Sequence, residues 1–145
     1  MINQTVKPDE IVLVEDGPLT PELYAVVDEY KDHLTIVVNE KNLGLGLALN
    51  EGLKACRNEL VARMDTDDIS KHDRCEKQLR RFEEKPELAI VGSHIDEFVG
   101  DPSNVISQRR VPTTTEDIYN YAKKRSAFNH PAVMYRKSAV LAEGG

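Results

Sequence analysis

The stretch LVARMDTDD, residues 60–68, decides how the rest of the chain is interpreted. It begins as a short apolar run and ends with three carboxylates, Asp65, Asp67 and Asp68. A strand that delivers acidic side chains to its carboxyl end is typical of the ligand crevice of an open α/β sheet. Carboxylates this close together repel one another unless a cation joins them, and their oxygen atoms suit Mg²⁺ or Mn²⁺. The alternative is a solvated turn whose acids cap the following helix.

The composition limits the classes of protein to which the chain can belong. Its 145 residues fit one ordinary domain, and 40% hydrophobic with 30% charged residues is typical of a globular protein. The formal charge of −6 argues against sequence-independent binding of nucleic acid, which needs a basic surface. No apolar run is long enough to cross a bilayer and no signal peptide opens the chain. Cys56 and Cys75 lie far apart without a C-x-x-C spacing, so they are expected to be reduced, which favours a cytoplasmic protein. No membrane segment is expected in this chain.

Hydrophobic periodicity predicts alternating strands and helices. The predicted strands are residues 11–14, 34–38, 60–64, 88–91, 95–99 and 132–135. The predicted helices are residues 21–30, 44–55, 73–84 and 116–124, whereas residues 100–114, rich in Pro, Ser, Thr and Arg, are predicted as a long loop. The alternating order predicts an α/β fold with a mostly parallel sheet wrapped by helices.

The helices also carry predictions about packing. An apolar face toward the core is expected from residues Leu23, Val26, Val27 and Tyr30 of the first helix. Gly46 and Gly52 lie inside the second helix, where each costs roughly 1 kcal/mol relative to alanine. We therefore expect either close packing at these glycines or close approach of the backbone to a ligand.

Acidic side chains end two of the predicted strands, at Asp16 and at Asp65. The carboxyl ends of parallel strands meet at one edge of a sheet, so we expect these acids to lie together. The loop with Lys41 and Asn42 reaches the same edge, and the helix that follows it has N–H groups for an anion. This combination predicts a site for a ligand with a diphosphate and a divalent cation.

Further motifs surround the acidic stretch. They are NxGxxxAxNxG at 42–52, MDTDD at 64–68, DR at 73–74, EKQ at 76–78, VGS at 91–93 and NHPAVM at 129–134. Together they resemble the family 2 glycosyltransferases, and VEDG at 14–17 is similar to the V-D-D-G-S motif of that family. The resemblance covers nearly the whole chain. It implies a Rossmann-like GT-A nucleotide-sugar-binding domain.

The resemblance implies transfer of a sugar from a nucleotide sugar, commonly a UDP-sugar, to a hydroxyl of a glycan or lipid-linked acceptor. The resemblance places this reaction in glycan or polysaccharide biosynthesis and implies inversion at the anomeric centre. A bound Mg²⁺ or Mn²⁺ stabilises the negative charge of the departing nucleoside diphosphate.

The resemblance also implies roles for individual residues. The nucleotide-binding set is Asp16, Lys41, Asn42 and Asp65, with Asp16 at the nucleobase and Asp65 at the ribose or diphosphate. Asp67 is the implied metal ligand. Asp68 and His130 are placed on the donor or acceptor side without a chemical role, and a hydrogen-bonded histidine before Pro131 is the alternative for His130.

The chain departs from the family pattern at both ends. Residues 1–5 resemble only the end of the first helix, so the first strand is missing, and Pro18 replaces the usual serine. No residue matches the catalytic base, which follows a glycine pair such as 144–145 after a further stretch. We therefore expect residues 1–145 to be a single partial domain, truncated at both ends and inactive alone. The full-length protein could act at the inner face of the membrane.

The missing strand predicts an open sheet edge. In the family it lies between the strands represented here by 11–14 and 60–64, and its absence would leave backbone groups unpaired. Either these strands close up, or a partner chain fills the edge and makes a homo-oligomer.

Three other classes of protein share part of the pattern. A receiver domain has strand-end acids but needs a strand-end Ser or Thr and a later Lys that do not fall in place. A haloacid dehalogenase-type phosphatase uses D-x-D, usually followed by Thr or Val two residues later, whereas Asp68-Ile69 follows here. A non-catalytic nucleotide-binding domain would share every feature except turnover.

Overall fold

A computed structural model describes all residues from Met1 to Gly145. Residues 1–61 and 136–145 form one unit of the chain, and residues 62–135 form another. The elements begin with β1 (Val12–Asp16), α1 (Pro21–Tyr30), β2 (Thr35–Asn39), α2 (Leu45–Ala55) and β3 (Leu60–Ala62). They continue with α3 (Arg74–Glu84), β4 (Ile90–Val91), β5 (Ile95–Phe98), β6 (Val105–Arg109), α4 (Thr115–Ala122), β7 (Met134–Arg136) and α5 (Lys137–Ala142). One-turn 3-10 helices occupy Lys31–His33 and His130–Ala132. That residues 1–145 make a single domain stays a prediction.

The first unit is built on two parallel strands. β1 pairs with β2 in parallel from Val12 opposite Thr35 to Asp16 opposite Asn39. Helix α2 packs on both strands and buries Ala48, Gly52 and Leu53. Gly52 allows this close packing, because a Cβ atom there would lie 2.7 Å from Cγ2 of Val14. The predicted parallel β-α-β arrangement is therefore confirmed for this part of the chain.

Two further sheets complete the fold. One has three strands in the order β3-β7-β4, with β4 antiparallel to β7, and the other is the antiparallel pair β5-β6. The α/β class is confirmed, and parallel pairing is found between β1 and β2. β1 and β3 belong to different sheets, so the prediction that these two strands close up is wrong. Pairing of the free edge with a second copy of the chain stays a prediction.

The second unit has a small core. Cys75 and Phe82 of α3 are buried, and so are Ala132 and Val133 before β7 and Met134, its first residue. Gln78 of the same helix is also buried, although it is polar. Its position in the core indicates that α3 supplies hydrogen bonds as well as apolar contacts.

The predicted core face of α1 is wrong. Leu23 is 51% exposed, Val26 is 54% exposed, and α1 has no buried residue. The physical reason is that α2 covers the β1–β2 pair, whereas α1 contacts mainly the 3-10 turn that follows it. None of the helices combines the length and the apolar character that a membrane span requires.

The predicted loop at 100–114 contains a strand. β6 pairs antiparallel with β5, and the turn between them is held by Asp101, whose carboxylate accepts hydrogen bonds from the backbone and hydroxyl of Ser103. The sequence of β6, VISQR, lacks the alternation of apolar and polar residues that identifies a half-buried strand, and all five of its residues are exposed. Cross-strand polar contacts stabilise it instead, such as the 2.9 Å bond from Gln108 to Asp96.

The two glycines of α2 give a matched test of this packing. We expect Gly52→Ala to lower the free energy of unfolding by about 1–3 kcal/mol, because the added methyl group collides with the stiff side chain of Val14. Gly46→Ala is the control, since nothing lies within 4 Å of its added Cβ, and it should raise stability by about 0.5–1 kcal/mol. Urea unfolding measures both, and equal effects of the two substitutions would contradict the packing.

Candidate functional site

The acidic turn, residues 65–68, follows the end of β3 at Ala62. The predicted strand to Met64 therefore ends two residues earlier than expected. The backbone N–H of Asp68 donates to the carbonyl of Asp65 at 3.3 Å, which closes the turn. Asp65 is half-buried, whereas Asp67 and Asp68 are exposed. The structure thus places the three predicted acids together at the carboxyl end of a strand.

Arg63 pairs with the first acid of the turn. Its Nη1 atom lies 2.9 Å from one carboxylate oxygen of Asp65 and its Nη2 atom 2.5 Å from the other. The Arg63 side chain is only 5% exposed, against 39% for Asp65. A two-point contact of this kind is among the stronger ion pairs, because both bonds carry charge. Arg63 therefore compensates the negative charge of Asp65 within the protein. The sequence analysis missed this partner.

Asp67 and Asp68 have no such compensation. No hydrogen bond or ion pair engages the carboxylate of Asp67. The pKa of Asp68 is raised, first by partial burial and then by the charges of Asp65 and Asp67, although Arg63 and Arg74 oppose the shift. Excess negative charge at an exposed pair of carboxylates favours a bound cation.

The donor set can be compared with the requirements of a divalent cation. No group of three or more His, Cys, Asp or Glu side chains in the structure could hold a metal ion by itself. Mg²⁺ is usually held by one or two carboxylates together with waters and substrate phosphates, and such a site needs no complete protein cage. Asp67, with Asp68 beside it, fits this requirement, whereas Asp65 is already engaged by Arg63.

Arg74 and Gln78 of α3 lie behind the turn. The Nη2 atom of Arg74 donates to the carbonyl of Arg63 at 2.7 Å and to that of Val133 at 2.9 Å. The side-chain amide of Gln78 donates to the carbonyls of Val91 and Ala132 at 3.3 Å and 3.0 Å. The DR and EKQ motifs contain these two residues, but nothing in their spacing identifies the carbonyls that they bind.

His130 lies on the exposed surface of the 3-10 turn that it begins. Its pKa is lowered by partial burial and by the charge of Arg63, while Asp65 opposes the shift. The preceding residue, Asn129, is fully buried and donates to the carbonyls of Ser93 and Arg109 at 2.9 Å and 3.3 Å. Asn129 therefore anchors the 3-10 turn of residues 130–132, called the histidine turn below. His130 lies close enough to Arg63 and Asp65 to be affected by their charges.

Asp16 has a different environment, at the end of β1 in the first unit. Its Oδ1 atom accepts hydrogen bonds from the Asn39 side chain and the Leu43 backbone at 3.0 Å and 2.9 Å, and its Oδ2 atom accepts from the Gly44 backbone at 3.1 Å. These bonds lower its pKa, with the Leu43 bond as the largest cause. The N–H group of Gly44, directly before α2, is thus occupied by Asp16, so the prediction of free N–H groups for an anion is wrong at this residue.

Lys41 and Asn42 belong to the loop that Asp16 holds. The side chain of Asn42 accepts a hydrogen bond from the Gly44 backbone at 3.0 Å, and Lys41 is exposed. Gly17 has φ +104° and packs against this loop, since a Cβ atom there would lie 3.1 Å from the Asn42 nitrogen. The structure brings Asp16, Lys41 and Asn42 together. That they share a cleft with the acidic turn stays a prediction.

Comparison with known proteins identifies the family. The family described as Glycosyl transferase family 2 matches residues 1–142. The chain belongs to this family. Its membership decides against the receiver-domain and phosphatase interpretations, and it confirms the resemblance carried by the motifs.

Curated relatives and a solved structure agree with this assignment. An uncharacterized glycosyltransferase of Haemophilus influenzae is 46% identical over 100% of this chain and 55% of its own length. The amylovoran biosynthesis glycosyltransferase AmsE of Erwinia amylovora is 43% identical over 97% of this chain and 53% of its own length. The UDP-Gal:alpha-D-GlcNAc-diphosphoundecaprenol beta-1,3-galactosyltransferase of Escherichia coli is 40% identical over 97% of this chain and 52% of its own length. The chain thus spans about half the length of these relatives.

The solved structure is the mannosyltransferase PcManGT from Pyrobaculum calidifontis in complex with GDP-Man and Mn²⁺. It superposes on 99% of this chain with a TM-score of 0.66, at 19% sequence identity and over 40% of its own length. At this identity the likeness shows the fold, which is the predicted GT-A type.

The different environments of the acids predict different effects of their removal. Asp65→Asn should lower the free energy of unfolding by about 2–3 kcal/mol, because it leaves the buried Arg63 guanidinium without a counter-charge. Asp67→Asn should change it by less than about 0.5 kcal/mol, because Asp67 is exposed and unpaired. Chemical unfolding of the two variants measures the difference, and a loss in D67N as large as that in D65N would contradict this charge distribution.

Asp16 predicts a pH dependence of stability. Its folded-state pKa is lowered by the bonds from Leu43, Asn39 and Gly44, so its contribution is present above the unfolded-state pKa of about 3.9 and is lost as the pH falls through the lowered value. Asp16→Asn should therefore be less stable than the wild type at pH 7, and the difference should shrink as the pH falls below about 4.

Urea midpoints at pH 7 and at pH 3.5 measure this convergence. Asp9→Asn is the control, because Asp9 is exposed and has no hydrogen-bond partner, so the variant should match the wild type at both pH values. A D16N deficit that stays constant with pH would show that the charge of Asp16 does not stabilise the loop.

Proposed function

We propose that this chain is the nucleotide-sugar-binding part of an enzyme that transfers a sugar from a nucleotide sugar to an acceptor hydroxyl in glycan or polysaccharide biosynthesis. The observation that carries the proposal is the acidic turn, where Arg63 forms an ion pair with Asp65 and no ion pair engages Asp67 or Asp68. This arrangement occurs in a chain that belongs to glycosyl transferase family 2.

The proposed donor is a UDP-sugar and the proposed acceptor is glycan or lipid-linked. The support comes from the Escherichia coli relative, whose name gives UDP-Gal as donor and a diphosphoundecaprenol-linked sugar as acceptor. The solved neighbour holds GDP-Man, so GDP is the competing nucleotide. Inversion at the anomeric carbon is proposed from the resemblance to the family.

Each residue of the site has a proposed task. Asp67 would hold Mg²⁺ or Mn²⁺, with Asp68 beside it, and the cation supplies positive charge to the departing diphosphate. Asp65 would face the ribose or diphosphate in the orientation that Arg63 imposes. These three acids would act from one short turn.

The remaining residues are proposed to bind the nucleotide or the reacting sugars. Asp16 would lie at the nucleobase and hold the loop through which Lys41 and Asn42 border the nucleotide. His130 is proposed on the donor or acceptor side, because its 3-10 turn ends directly before Val133, whose carbonyl accepts a hydrogen bond from the Arg63 backbone.

Binding of a nucleoside diphosphate with Mn²⁺ is the direct test. A ligand at one hundred times its Kd adds about 2.7 kcal/mol to the stability, so UDP with MnCl₂ should raise the melting temperature of the chain by roughly 5–10 °C. GDP and ADP with MnCl₂ rank the alternative nucleotides, and each nucleotide without metal measures the contribution of the cation.

Two variants separate the site from non-specific metal binding. Asp67→Asn should abolish most of the shift while leaving the unliganded melting temperature within about 2 °C of the wild type. Glu83→Gln removes an exposed acid of α3 that has no partner, and it should respond to UDP and Mn²⁺ like the wild type. If no nucleoside diphosphate stabilises the wild type, or if D67N responds fully, the proposed site is wrong.

A further inference from the structure

Arg74, at the start of α3, bonds two carbonyls with one nitrogen atom. Its Nη2 atom lies 2.7 Å from the carbonyl oxygen of Arg63 and 2.9 Å from that of Val133, and its Nε atom donates to Gln78 at 3.1 Å. Its guanidinium is partly buried, and this burial lowers its pKa from the ordinary arginine value while leaving it protonated. Such a side chain has little freedom to serve another partner.

The two carbonyls belong to the two segments that carry the site residues of the second unit. Arg63 stands two positions before Asp65, and its backbone N–H donates to Val133 at 2.9 Å. Val133 directly follows the 3-10 turn that begins at His130. Arg74 therefore binds the junction where the base of the acidic turn meets the end of the histidine turn.

Arg74 makes no ion pair with any carboxylate of the acidic turn. Its charge nevertheless favours the ionised form of Asp68. The bonds from Arg74 to the backbone carbonyls fix the position of the backbone where the acidic turn begins. The positions of the side chains that follow in the turn depend on this backbone. Loss of Arg74 removes a donor from the Arg63 carbonyl, whereas the Val133 carbonyl keeps its bond from the Arg63 amide. The turn can lower the cost of the lost bond by shifting.

We propose that Arg74 is a positioning residue, which holds the backbone of Arg63 so that Asp65, Asp67 and Asp68 present their oxygens to a cation and a diphosphate. This inference rests on the proposed function for the ligand, but not for the ordering of the turn. It assigns Arg74 no contact with substrate.

The experiment compares two substitutions that each remove a hydrogen bond near Val133. Arg74→Met removes the bonds to Arg63 and Val133 and keeps a long apolar side chain. Ser93→Ala is the matched control, because its hydroxyl donates only to Ala132, at 3.1 Å, on the histidine turn. Arg74→Gln, which loses the charge and cannot span both carbonyls, carries the same test if the methionine variant does not fold.

The first readout needs no ligand. The amide of Asp68 donates to Asp65 within the turn, so its hydrogen-exchange rate reports the order of the turn. In R74M this rate should rise at least about tenfold relative to the amides of α3, whereas in S93A it should not change relative to them. If Arg74 contributed only to global stability, R74M would raise the exchange rates of the Asp68 amide and of the α3 amides by the same factor.

The second readout is the Kd for UDP in the presence of MnCl₂, measured by calorimetry on the 145-residue chain. R74M should bind about 10–100-fold more weakly than the wild type, as is typical when a group that orients metal ligands is lost. S93A should stay within about twofold. Wild-type exchange at Asp68, or wild-type affinity in a folded R74M protein, would overturn the positioning role. Failure of the wild type to bind any nucleotide, with faster Asp68 exchange in R74M, would instead refute the proposed function and leave the ordering role supported.

Discussion

Charge compensation at the acidic turn is the constraint on which the candidate site depends. Like charges repel, so the three carboxylates within residues 65–68 favour positive partners nearby. Arg63 supplies one counter-charge, through two bonds to Asp65. Burial of Arg63 makes this pairing obligatory, because a buried guanidinium also needs a counter-charge. Asp67 and Asp68 then share the charge that remains, which a ligand-borne cation is suited to offset.

The short strands around this turn explain why its support comes from a helix. β3 and β7 have three residues each, so the carbonyls of Arg63, Ala132 and Val133 lie at or beyond the ends of the ladder. Buried carbonyls need donors, and Arg74 and Gln78 reach them from one face of α3. The same side chains that satisfy the backbone therefore also bring the acidic turn and the histidine turn into fixed positions.

Sequence patterns were informative where local chemistry determines structure and silent where distant partners do. The β-branched run before Asp16 predicted β1, and the apolar periodicity of residues 44–55 predicted α2, because strand and helix periodicity are local properties. The strand β6 was missed because all its residues are exposed and its pairing depends on polar contacts with β5. The exposed face of α1 was mispredicted because periodicity gives an apolar face but not the surface that covers it. Arg63 was overlooked as a partner of Asp65 because spacing alone does not reveal a buried ion pair.

Asp16 and Asp67 illustrate how two acids at strand ends acquire different tasks. Asp16 ends β1 and Asp67 lies in the turn after β3, and the same topological rule predicted a ligand for each. Asp16 is followed by Gly17, against which the 42–44 loop packs, and the Leu43 and Gly44 amides of this loop donate two hydrogen bonds to the Asp16 carboxylate. The Asn39 side chain of β2 donates a third. Asp67 receives none, because the only donor that turns back within 65–68 is the Asp68 amide, which bonds the Asp65 carbonyl. A carboxylate that accepts several hydrogen bonds from the protein orders a loop, whereas one without donors keeps its full charge for a cation. The number of hydrogen bonds that the fold supplies to each carboxylate, rather than its place at a strand end, is therefore the physical basis of the proposal that Asp67 holds the cation.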